Sequence, residues 1–133
     1  MVAINLDKLL GAANAIRERA YAPYSHFAVG AAALGSDGRV YVGTNVENAS
    51  YGLSLCAERA AVAAAVAGGA SEILAVVVIA DPPVPPCGAC LQVITELGSK
   101  ATVAWGDGTG NYNVAEAGEL LTKPFRLERR EGG

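Results

Sequence analysis

Seven consecutive residues, Ile73-Leu74-Ala75-Val76-Val77-Val78-Ile79, are apolar and mostly β-branched. Such side chains are stiff at χ1 and pack well on a pleated surface, so the run reads as a strand. It shows no polar alternation, so neither face is meant for water. That is the pattern of a central strand covered on both sides. A chain organised around it needs helices on both faces of one sheet.

The flanking segments supply them. Leu6, Leu9, Leu10, Ala13 and Ile16 recur at helical spacing behind Asn5, a candidate N-cap, which predicts a helix over 5–20. Pro23 blocks its continuation. Residues 27–34 and 39–42 read as a hairpin about Ser36-Asp37-Gly38, and 44–55 as a loop rich in Asn, Ser and Gly. Residues 56–67 are almost all helix formers and stop at Gly68-Gly69; being apolar nearly all round, this helix is expected to be covered on both sides. After a proline-rich loop over 81–86 come a helix over 87–97, a strand over 101–105, a short strand over 112–114 and a short helix over 116–121. The expectation is α/β: one sheet of about five strands with helices on both faces. A single domain over 1–133 is expected, with its core over about 5–125 and a charged, frayed tail from 126.

Composition removes several function classes. With 52% hydrophobic and 17% charged residues, the chain has the makings of a sizeable core rather than of disorder. A net charge of -3 leaves no basic footprint for a nucleic-acid polymer. The longest apolar runs, 60–67 and 73–80, are eight residues each, against the roughly 18 that a membrane-spanning helix requires. Asp7 and Lys8 interrupt any secretory h-region, so the protein is expected in the cytoplasm with its three cysteines reduced.

Those cysteines are placed for a metal. Cys87-Gly88-Ala89-Cys90 puts two thiols at the start of one helix, and Cys56 stands at the start of another. Helix N-termini favour anions, hence thiolates. Three thiolates without a fourth protein ligand is the count of an open zinc site, which leaves room for water; the only histidine, His26, is not needed. Glu58, two residues after Cys56, is a candidate to move protons at that water. A regular helix would turn it about 200° away from Cys56, so it reaches the site only if Cys56 lies in an irregular first turn. Spacing alone does not decide this. Arg59 adjoins and can balance charge: three thiolates and one Zn²⁺ sum to -1.

Cys56-Ala57-Glu58-Arg59 with Pro86-Cys87-Gly88-Ala89-Cys90 resembles the zinc nucleoside deaminases. Pro23-Tyr24-Ser25-His26-Phe27, the stretch from Asn45 through Gly52, and Leu120-Leu121-Thr122-Lys123-Pro124-Phe125 are similar to the small homotetrameric cytidine deaminases. The resemblance implies a three-layer α/β/α sandwich with a mixed sheet. It also implies hydrolysis of cytidine and deoxycytidine to the uridines plus ammonia, by zinc-activated water attacking C4, in pyrimidine salvage. Cys56, Cys87 and Cys90 would bind one zinc per chain, with Glu58 as proton shuttle. Asn45 and Glu47 would hold the ribose hydroxyls, Phe27 would pack near the base, and the backbone at Ala57 would contact the pyrimidine. Phe125 would close a neighbouring subunit's site in a homotetramer with shared active sites. Two positions depart from the family's usual pattern: Leu91 stands where arginine is usual, leaving more charge balance to Arg59, and Thr122 stands in place of proline.

Rival readings fit less of the chain. A closed structural zinc site wants a fourth ligand. A Cys87–Cys90 redox pair leaves Cys56 idle. A blasticidin-type aminoacyl-nucleoside deaminase and a non-catalytic zinc-stabilised binding module are the alternatives. The glycines of 106–110 match no phosphate-binding motif and read as a turn.

Overall fold

In the computed structural model, which describes residues 1–129, the chain runs α1 (Leu6–Arg17), β1 (Gly30–Gly35), β2 (Val40–Thr44), a 3₁₀ turn (Tyr51–Leu53), α2 (Ala57–Ala67), β3 (Ile73–Ile79), α3 (Gly88–Leu97), β4 (Thr102–Gly106), β5 (Tyr112–Glu116) and α4 (Ala117–Leu120). The strands form one sheet in the order β2-β1-β3-β4-β5. β3 pairs antiparallel with β1 and parallel with β4, so the sheet is mixed and the apolar run is internal to it.

Alternation along the strands assigns the two faces. Ala31, Ala33, Val76, Val78 and Val103 pack with Ala57, Ala61 and Val62 of α2 and Ile94 of α3. Ala32, Leu34, Ala75, Val77, Ile79 and Ala104 pack with Leu9 and Ala13 of α1. The result is the expected α/β/α sandwich. Every β3 side chain meets one helical layer or the other, which is why the run carries no polar residue. Small residues let the layers approach: a Cβ on Gly43 would stand 2.5 Å from the Ala61 nitrogen and 2.7 Å from the Ala57 oxygen.

Several boundaries differ from expectation, for reasons that lie in long-range hydrogen bonds. α1 ends at Arg17 rather than 20 because Tyr21 leaves to bridge Val46; its N–H donates to the Asn45 carbonyl at 3.1 Å. β1 starts at Gly30 rather than 27 because the Asn45 side chain takes the Phe27 carbonyl and the Val29 N–H, which a strand partner would otherwise bond. β5 extends to Glu116 because it pairs along all of β4. Cys56 and Cys87 stand outside their helices as N-caps. α2 is covered on one side only within the chain; Ala63, Val66 and Ala67 are exposed. Residues 126–129 form neither helix nor strand, and 130–133 of the expected tail lie outside the described residues. No described helix is long and apolar enough to cross a membrane.

Candidate active site

Two helix N-termini converge on one point. Cys56 caps α2 and Cys87 caps α3, both with extended backbone, while Cys90 lies one turn into α3 and is fully buried. The three sulfurs all lie within 4.8 Å of one another, and Cys87 Sγ is 3.6 Å from Cys90 Sγ. Three sulfurs bound tetrahedrally to one zinc at about 2.3 Å stand about 3.8 Å apart, so the cluster matches that ion in donor type and spacing. All three cysteines are free, and no His, Asp or Glu among the described residues joins the cluster. His26 is exposed, with a left-handed backbone (φ 57°), away from it.

The electrostatics favour a thiolate here. Hydrogen bonding from the Cys90 thiol, with help from Arg59, holds Cys56 well below the ordinary thiol range. The same contact and burial push Cys90 up. Arg59 Nη2 donates to Cys56 Sγ at 3.3 Å, and its Nε is buried without a partner. Leu91 is buried and apolar, and Arg59 is the guanidinium that meets Cys56 Sγ.

Glu58 resolves the question left by spacing. Because Cys56 is a cap with ψ 149° rather than a helical residue, Cys56 and Glu58 are not related by the helical rotation. Glu58 is 6% exposed yet lines the same cavity as Cys56 and Cys87, and burial pushes its carboxyl above the usual range.

That cavity holds about 270 Å³ and is also lined by Phe27, Asn45, Glu47 and Ala57. Asn45 and Glu47 carry a second load there. Asn45 Oδ1 accepts from the Val29 N–H at 2.9 Å and its Nδ2 donates to the Phe27 carbonyl at 2.7 Å, which leaves one N–H for a ligand. Glu47 accepts from the backbone N–H of Tyr24 at 2.9 Å and of Ser25 at 3.1 Å, and from the Ser25 hydroxyl. These bonds, the Ser25 hydroxyl first, hold its carboxyl below the usual range. Phe125 is 68% exposed and is not among the residues lining this cavity. Sequence reasoning missed the walls formed by Val84 and Pro85, and by Ser54 and Leu55. Their signal was adjacency: each pair immediately precedes a cysteine motif.

The family model of the cytidine and deoxycytidylate deaminase zinc-binding region matches residues 4–105. The chain belongs to that family. It is 48% identical over 127 residues to the cytidine deaminase of Mycobacterium tuberculosis, covering 94% of this chain and 92% of that one. It is 49% identical over 115 residues to the cytidine deaminase of Halalkalibacterium halodurans, covering 84% and 87%. The crystal structure of cytidine deaminase from Burkholderia pseudomallei superposes with a TM-score of 0.86 at 46% identity, over 92% of this chain and all of that one. The expected family, fold and enzyme class therefore stand: this is a zinc-binding deaminase domain with a Cys₃ metal site.

Proposed function

We propose that this single-domain chain hydrolyses cytidine and deoxycytidine to uridine and deoxyuridine, releasing ammonia, with one zinc ion per chain. The observation that carries the reading is a cluster of three thiols, two of which, Cys56 and Cys87, line one cavity together with the buried Glu58, Asn45 and Glu47. Cys56, Cys87 and Cys90 would hold zinc, which when bound would supply Lewis-acid activation of water. Every proton transfer then belongs to Glu58. It accepts a proton from the attacking water as oxygen bonds to C4, and delivers that proton to N3. It next takes the hydroxyl proton of the tetrahedral carbon and passes it to the amino group, so the C–N bond breaks and ammonia leaves. Its raised pKa suits a group that both accepts and returns protons.

The remaining lining residues fix the substrate. Phe27 packs by the base, and the N-terminal backbone of α2 at Ala57 offers N–H groups without helical partners to the pyrimidine. The free N–H of Asn45 and the open lone pair of Glu47 take the ribose hydroxyls, holding C4 within attack distance. Arg59 offsets the charge of the thiolates. Exposed Tyr51, Leu53, Val66, Phe125 and Leu127 support a homotetramer, because such apolar surface is normally covered. In that assembly Phe125 closes a neighbouring subunit's cavity. The free thiols and absence of a spanning helix among the described residues support a cytoplasmic enzyme.

The test is the loss of cytidine ultraviolet absorbance with purified, zinc-loaded protein, repeated after chelation. Activity that disappears with the metal and returns with it is expected. No turnover of cytidine or deoxycytidine at full zinc loading would overturn the reading.

A further inference from the structure

We propose that Gln92 is a positioning residue for this reaction: its side-chain amide sets where the Phe125 ring stands. Gln92 Nε2 donates to the Phe125 carbonyl at 2.8 Å, and the Phe125 N–H donates to Gln92 Oε1 at 3.0 Å. One amide thus satisfies both backbone groups of a residue 33 positions away, as a strand partner would. Phe125 has no other such frame. It follows α4 in a segment that belongs to neither helix nor strand, and its ring projects largely into solvent. Pro124 narrows the backbone before it but fixes no direction relative to the sheet.

The other end of the link is rigid. Gln92 rides on α3 two residues beyond the buried Cys90, and α3 is packed on the core through Ile94. The helix that supplies two of the three thiols therefore also carries the clamp on Phe125. The inference rests on the reading that Phe125 closes a neighbouring subunit's cavity. A clamp needed only to tie down the chain end would affect stability; a positioning clamp changes substrate affinity through Phe125 and nothing else.

Gln92→Met keeps the length and removes both hydrogen bonds, and Gln92→Asn keeps the amide but shortens its reach. Two exposed hydrogen bonds at the weaker end of the ordinary net strength correspond to about a tenfold effect. Each variant should raise KM for cytidine about tenfold with kcat within about twofold, while zinc content and particle mass stay those of the parent. Phe125→Ala should raise KM by at least as much, and Gln92→Met added to it should change KM less than about twofold more. If Phe125→Ala raises KM and neither Gln92 variant does, the clamp is overturned and the reading of Phe125 stands. Should Phe125→Ala leave KM unchanged, that reading fails and the clamp with it. Additive effects in the double variant, or loss of zinc or of particle mass in both Gln92 variants, would assign Gln92 a role unconnected with Phe125.

Discussion

Glu58→Gln removes a proton acceptor while leaving the shape of the site in place. The side chain is 6% exposed, sits at the second helical position of α2, and is nearly isosteric with glutamine. Zinc is held by sulfur, so the variant should fold, assemble and keep its metal. Substrate should still bind, with KM within about threefold, because the proposed sugar contacts are those of Asn45 and Glu47. Only the chemical step loses its agent. General acid–base catalysis by one group supplies typically about 10²–10⁴-fold, and the proposal gives Glu58 two successive transfers, so the loss in kcat should be at or beyond the top of that range. At 1.36 kcal/mol per factor of ten, this is at least about 5 kcal/mol of transition-state stabilisation. Stability should move the other way. Burial raises the Glu58 pKa above its unfolded value, so above that unfolded value the ionised carboxylate costs folding free energy, and glutamine removes the cost. In metal-free protein at pH 7 the variant's Tm should equal or exceed the parent's. The assay is steady-state deamination with parallel elemental analysis and calorimetry. A variant with kcat within tenfold of the parent at full zinc loading would refute the assignment, because another group would then be moving the protons.

Other perturbations reach different parts of the structure. Cys90→Ala should lose both zinc and activity, since the cluster is left with two sulfurs; elemental analysis showing parental metal content would contradict the three-thiolate site. Gly43→Ala should destabilise by about 1–3 kcal/mol in urea titration, because the added methyl meets the α2 backbone at Ala57 and Ala61; an unchanged midpoint would mean that β2 and α2 separate freely. Glu47→Gln should be less stable than the parent at pH 7. Its folded pKa is lowered, so the stabilisation is present above the unfolded value near 4.5 and fades as pH falls through the folded value. Urea curves of parent and variant should therefore converge at low pH, and a gap that persists below the folded value would remove the ionised carboxylate from the account.

Much of the fold was legible because the signals were local. The run Ile73–Ile79 matches its strand at both ends, since its bulky apolar residues lie between Glu72 and the small Ala80 that leads into Asp81. The helix stop at Gly68-Gly69 was equally direct. The boundaries that slipped, at 18–20 and 27–29, are set by hydrogen bonds with Asn45 and Glu47, whose influence on residues so far upstream has no periodicity to betray it. The metal site was legible from Cys-x-x-Cys and a third cysteine at a helix start. Reach from Glu58 to the site was not, because it depends on the backbone angles of one cap residue.

The loop between β2 and α2 is where scaffold and chemistry coincide. Asn45 and Glu47 look like turn formers in sequence, and each makes two side-chain hydrogen bonds to the backbone of residues 24–29. That stretch carries Phe27 into the same cavity that Asn45 and Glu47 line. The residues assigned to the sugar thus also set the position of the residue assigned to the base. Truncating Asn45 would leave the Phe27 carbonyl and the Val29 N–H without these partners as well as removing a sugar contact. Its effect on KM is for that reason an upper bound on the sugar contact. The contact itself is better read from the substrate side, by comparing parent enzyme on nucleosides that lack one hydroxyl at a time. A site in which binding residues brace one another resists rearrangement when substrate enters. Such rigidity favours holding C4 within reach of water and Glu58 without spending binding energy on ordering the loop.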